Sequence, residues 1–187
     1  YRDVDGDGVG YRTLPGTHPD KGAFFTRGTS RDEYAAYTES PEAYQRNMER
    51  LQLKWQTARQ LVPIADITGR GGSVGVLYYG TTALPIPEAL DKLAVNGIHL
   101  DTCRVRGFPF GDEVETFVAQ HDLIFVVEQN RDGQMRTLLI NELQTNPAKL
   151  IPILYFAGLS ISADFIDEQI SAYYEEHKLA RLTEVKS

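Results

Sequence analysis

Residues 123–139 read LIFVVEQNRDGQMRTLL. The run from Leu123 to Val127 is continuous and apolar, of strand length, and ends on Glu128. Asn130-Arg131-Asp132-Gly133 supplies turn chemistry, and a periodic stretch follows at once. A buried strand passing through a short turn into a helix is the repeating unit of an α/β sheet. The same alternation recurs on both sides of it. Strands are predicted over 74–79, 98–105, 123–128 and 151–156. Helices are predicted over 87–96 (closed by Gly97), 112–121, 133–144 and 163–177. The last is capped by Ser162 and carries Ile166, Ile170, Tyr173 and Tyr174 on one face. The fold class expected for residues 67–187 is therefore α/β, three-layered, with a mostly parallel sheet.

The text changes character upstream. Residues 66–73 are rich in glycine and read as a linker. Gly69-Arg70-Gly71-Gly72 precedes the first strand, whereas a nucleotide loop follows a strand and opens a helix. Residues 41–66 hold a helix and the start of this linker: Ser40 is the expected N-cap, Pro41 and Glu42 suit the first turn, and Pro63 stops the helix. Tyr44, Met48, Leu51, Trp55 and Ala58 form one apolar stripe, read as ordinary packing. Residues 1–40 have no sustained period, yet they carry Tyr1, Tyr11, Leu14, Phe24, Phe25, Tyr34 and Tyr37. A flexible linker has no need of such anchors, so the segment reads as an extended arm laid over a surface.

Composition narrows the classes of function. The formal net charge is −7 without long blocks of one sign, which disfavours nucleic acid and argues against docking an acidic electron carrier on this chain. The longest apolar runs are too short to cross a bilayer, so no membrane partner is expected, and cytoplasm is the default compartment. One cysteine, Cys103, permits no internal disulfide and cannot hold an iron–sulfur cluster alone.

Several groups qualify as site candidates. Asp3-Val4-Asp5-Gly6-Asp7-Gly8 opens like a calcium loop, but Gly10 and Leu14 stand where an apolar residue and a bidentate Glu belong, so a tight Asp/Gly turn is the reading and no metal site is expected. Gly80, Thr81 and Thr82 follow the first strand and precede a helix, the right place for an anion loop, although without further glycines or a lysine a plain strand-to-helix turn is the preferred reading. Arg12, His18, Lys21 and Arg27 form either a cationic lip for a dicarboxylate or coenzyme phosphate, or the arm's contacts to a carboxylate-rich neighbour. Glu128, Asn130 and Gln134 lie at the edge where open sheets bind ligands, and read as ligand or interface residues or as turn and cap residues. His99, His121 and His177 read as surface or half-buried histidines, and Cys103 as unreactive. No catalytic constellation is evident.

YRTLPGTHPDKGAFFTRG (residues 11–28), extended to Tyr44, and the strand–turn–helix ending in EQNRDGQ together resemble the C-terminal part of the alpha subunit of 2-oxoacid:ferredoxin oxidoreductases, most closely the 2-oxoglutarate branch. The resemblance covers nearly the whole chain. It implies that residues 1–40 are the tail of a thiamine-type domain and residues 67–187 a domain similar to the transketolase C-terminal domain. It also implies oxidative decarboxylation of a 2-oxoacid, with coenzyme A taking the acyl group and ferredoxin the electrons. Thiamine diphosphate, Mg and the iron–sulfur cluster are implied on a partner beta subunit and none on this chain. The family's substrate-facing Thr and Arg belong to motifs absent here, so no catalytic residue carries over. Two rivals stand beside it: a non-enzymatic interaction module, and a small-anion binder using Gly80 to Thr82 with Arg12 and Arg27.

Overall fold

The computed structural model describes residues 1–22 and 30–179. The chain divides into two compact units, Tyr1–Val62 and Pro63–Ser187.

In the first unit, helix α1 spans Pro41–Leu61. The Ser40 hydroxyl accepts from the Ala43 amide at 3.2 Å, and the helix stops two residues before Pro63, whose ring disfavours helical backbone in the residue preceding it. The arm reaches α1 through polar contacts. The Arg50 guanidinium donates to the Gly8 carbonyl at 2.7 Å, the Thr57 hydroxyl to the Asp7 carbonyl at 2.6 Å, and the Asn47 amide to the Arg31 carbonyl. A Cβ at Gly8 would lie 2.1 Å from the Lys54 amide, so only glycine allows this approach. These residues, 47, 50, 54 and 57, are themselves a helical stripe, adjacent to the apolar one. The arm therefore lies along the polar stripe. Packing was the expectation for the apolar stripe, and it is corrected: Tyr44, Met48, Leu51 and Trp55 keep 37–50% of their surface exposed.

The second unit is one sheet between two helical layers. Its strands are β1 (Asp66–Thr68), β2 (Val74–Tyr79), β3 (Asp101–Val105), β4 (Leu123–Glu128) and β5 (Leu150–Leu154), in the order β1-β3-β2-β4-β5. β2 pairs parallel with β3 and β4, and β4 with β5. β1 runs antiparallel to β3, so the stretch read as a linker is in part an edge strand. At three residues, all exposed, it has too little apolar pattern to be seen in the sequence. β3 begins at Asp101, three residues later than expected, because residues 98–100 form no ladder pairs.

Alternation along the central strands sorts the core onto two faces. Val76, Tyr78, Phe125 and Val127 point to the layer of α2 (Ile86–Val95) and α5 (Ala163–Glu176), meeting Ile86, Leu93, Ile166 and Ile170. Leu77, Ile124 and Val126 point the other way, to α3 (Asp112–Gln120) and α4 (Gln134–Leu143), meeting Phe117, Val118 and Leu139. Phe125 fixes one face by an edge contact to Tyr173 at 5.3 Å and a stacked contact to Tyr174 at 6.1 Å. Among the described residues no helix is long and apolar enough to cross a membrane.

Candidate functional site

The order of the parallel strands puts β2 at the centre, with the next strand on one side and the two after it on the other. The connections thus diverge between β2 and β4, and a crevice at the carboxyl ends of such strands is where open α/β sheets receive ligands. Gly80, Thr81 and Thr82 leave β2 there, and Gln129 and Asn130 leave β4. The fold brings together two groups of candidates that stand nearly fifty residues apart in sequence.

Glu128 is fully buried at this edge. Its carboxylate accepts from the Met135 amide at 2.7 Å, the Arg136 amide at 2.9 Å and the Asn130 side chain at 2.8 Å. Two of the amides that a helix start leaves without partners are satisfied by it. The Asn130 side-chain oxygen accepts from the amides of Asp132 (3.1 Å) and Gln134 (3.3 Å), closing the turn that puts Gly133 at φ 60°. The start of α4 is thus engaged from within the chain, by a negative charge already in place. Asn130 also donates to the Tyr79 hydroxyl at 3.3 Å. Burial pushes the Tyr79 phenol up, the Glu128 charge adds to this, and the bond from Asn130 partly offsets it. The exposed Gln134 enters this network only through its backbone.

Gln129 went unnoticed in the sequence. Its amide nitrogen donates to the hydroxyls of Thr81 and Thr82, both at 3.1 Å, and its oxygen accepts from the Ile161 amide at 3.4 Å. One side chain thereby ties the loops after β2, β4 and β5. A lone glutamine carries no motif, and only the strand order shows what it joins. Around it the edge exposes Leu84, Phe156 and Leu159, at 65–81% of their surface.

In the first unit, a cleft of about 390 Å³ is lined by Tyr11, Arg12, Lys21 and Tyr34, with Asp20 and Glu33 also on its wall. Arg12 and Lys21 come together there. His18 lies outside that lining: its Nδ1 accepts from the amides of Asp20 and Lys21, both at 3.1 Å, which makes it a brace for the turn beneath Lys21. Arg27 lies outside the described residues. In the Asp-rich loop, the Asp3 carboxylate accepts from the amides of Gly6 and Gly8 at 2.9 Å, and Asp7 from Val9 at 2.7 Å. Asp3, Asp5 and Asp7 bring oxygens within 4.8 Å of one another, in a loop whose geometry these turn bonds already account for.

At the amino end of the sheet, the Gly69–Gly72 loop is a cradle after all. The amides of Arg70, Gly71 and Gly72 converge on the Asp101 carboxylate at 2.8–3.0 Å. The anion it holds is the chain's own. His121, read as a surface or half-buried histidine, is 4% exposed, a correction: its Nδ1 meets the Phe117 carbonyl at 2.7 Å and its Nε2 the Asp101 carboxylate at 3.3 Å. Burial alone would raise Asp101, but the Arg70 amide, His121 and the Gly72 amide outweigh it and hold the carboxyl below its ordinary range. Cys103 is fully buried, and that burial, with Glu113 adding, pushes its thiol up to about 12. His99 and His177 are exposed.

No family model matches the chain. A curated relative, the alpha subunit of 2-oxoacid:ferredoxin oxidoreductase 2 from Aeropyrum pernix, is 31% identical over 118 residues, 60% of this chain. The chain spans 18% of that relative's length. Among solved structures, a 2-oxoglutarate:ferredoxin oxidoreductase from Magnetococcus marinus, with 2-oxoglutarate, coenzyme A and succinyl-CoA bound, matches with a TM-score of 0.75 at 20% identity. That match takes in 91% of this chain and 30% of the other, and at that identity it speaks for the fold. By sequence, then, this chain is similar to part of the alpha subunit of a 2-oxoacid:ferredoxin oxidoreductase, and by fold to a portion of such an enzyme.

Proposed function

We propose that this chain is the C-terminal part of the alpha subunit of a 2-oxoacid:ferredoxin oxidoreductase, the 2-oxoglutarate type being the first candidate. The observation that carries the reading is the 31% identity over 118 residues to an alpha subunit, reached independently of the fold match. In this role the chain supports a thiamine-dependent oxidative decarboxylation in which coenzyme A accepts the acyl group and ferredoxin the electrons. Thiamine diphosphate, Mg and the iron–sulfur cluster belong to the beta subunit on this reading. This chain's one cysteine cannot hold a cluster by itself, since a cluster takes four thiolates as a rule.

The second unit is then an assembly domain. Its carboxyl edge is held rigid by Glu128, Asn130 and Gln129 and presents apolar side chains to a partner surface. The arm supplies Arg12 and Lys21 beside Tyr11 and Tyr34, two cations and two rings suited to an anionic, partly aromatic ligand such as coenzyme A. Cytoplasm is the compartment that goes with this activity.

The test is to co-express a full-length alpha subunit carrying this chain with its beta subunit, and to follow 2-oxoglutarate- and coenzyme A-dependent reduction of ferredoxin. Reduction is expected, with Arg12→Ala and Lys21→Ala raising the KM for coenzyme A about threefold to tenfold and leaving kcat little changed. A complex that forms but reduces nothing with 2-oxoglutarate moves the preference to another 2-oxoacid. Failure to form any complex overturns the proposal in favour of a non-enzymatic interaction module.

A further inference from the structure

A second cleft, of about 480 Å³, opens at the amino end of the sheet, away from its carboxyl edge. Its size lies in the range of small-molecule sites, roughly 300–1,000 Å³. One wall is apolar: Leu90 and Ala94 on α2, with Ile98 and Leu100 from the segment before β3. The other is the glycine-rich loop, with the hydroxyls of Thr68 and Thr102 paired at 2.6 Å below it.

The charges of this cleft divide into those already matched and those available. Asp101 is matched by three loop amides and His121, so neither the cradle nor its carboxylate remains for a ligand. Arg70 and Asp91 differ. Each lines the cleft, each is exposed, they sit on separate elements, and neither side chain forms an ion pair with another described residue. His99 completes the rim. A phosphate or a dicarboxylate would gain one cation and face Asp91, while a polyamine would meet the reverse. A positive and a negative group flanking an apolar wall match a molecule with both charges and an apolar body.

We propose that this cleft binds an apolar α-amino acid as its zwitterion, the carboxylate on Arg70, the ammonium on Asp91 and the side chain against Leu90, Ala94 and Ile98. The site has no part in the oxidoreductase reading and stands without it.

The experiment is a titration of the full chain, followed by amide NMR, with L-leucine and L-phenylalanine to about 10 mM, a concentration that detects millimolar affinity. Two further arms use 4-methylpentanoate and 3-methylbutylamine, which keep one charge each. Saturable shifts confined to residues 68–72 and 90–102, given by the amino acids and not by the single-charge analogues, are expected. Arg70→Gln and Asp91→Asn, both surface changes, each weaken binding about tenfold, the loss of roughly one charge-assisted bond. Ala94→Phe fills the apolar wall and abolishes the shifts while the rest of the spectrum is kept. The proposal is overturned by an absence of saturable shifts, by equal binding of either single-charge analogue, or by shifts that persist in Ala94→Phe.

Discussion

Glu128 shows how much a single side chain decides at the edge of this sheet. A glutamate at the end of an apolar strand invites a functional reading, and its position at the switch point strengthens it. Its geometry is that of an internal helix cap: fully buried, with both oxygens accepting backbone amides of α4 and one of them also the Asn130 side chain. This makes a sharp prediction. Glu128→Gln keeps the volume but turns an NH2 group toward an amide N–H, so a buried donor on each side loses its acceptor. Bonds to charged groups contribute about 1.5–3 kcal/mol each, and an unsatisfied buried donor costs about 1–3. Destabilisation of roughly 2–4 kcal/mol is expected from urea unfolding, and a change below about 0.5 kcal/mol would show that the carboxylate does not cap α4. The residue's type and place were readable in the sequence. Its partners, seven and eight positions downstream, depended on Gly133 adopting φ 60°, which the turn residues only suggested.

At the scale of elements, the glycine-rich loop and β3 are coupled through Asp101. The sequence made the loop a linker because its partner lies 29 to 31 residues away, beyond any local pattern. The same distance hid His121, which is twenty positions from the carboxylate it meets. The alternation of strands and helices was legible because each element carries its own period. β1 and the loop were not, since their order comes from one buried charge on another strand. That dependence has a pH signature. Asp101 titrates lower folded than unfolded, so its contribution is complete above the unfolded carboxylate value and is lost as pH falls through the folded one. Asp101→Asn should therefore destabilise by about 1–3 kcal/mol at pH 7. The gap between wild type and variant should narrow below about pH 4, as measured by urea unfolding at pH 7 and pH 3. A gap that stays constant would mean the carboxylate's charge is not what orders the loop. Gly69 adds a steric requirement, because a Cβ there would sit 2.2 Å from the Asp101 carboxyl carbon.

For the whole molecule, the two units differ in what they can sustain alone. Both core clusters draw only on residues from Ala65 onward. In the first unit, Ala43 is the one buried hydrophobic among the described residues, and α1 exposes Tyr44, Met48, Leu51 and Leu53. A helix in water relies on tertiary packing of its apolar face far more than on propensity, and folding must offset about 1–2 kcal/mol of backbone entropy for each ordered residue. Residues 63–179 bury two full faces of a sheet and meet that demand. Residues 1–62, by the same reasoning, fall short of it and need a surface to lie on. A chain of residues 63–179 should therefore unfold cooperatively in urea, with a midpoint close to that of the full chain. A peptide of residues 1–62 should show little helix by circular dichroism. Should that peptide fold cooperatively, the exposed stripe of α1 would need another explanation than a partner surface. If instead the shortened chain failed to unfold in one step, the two core clusters would not suffice for the α/β unit.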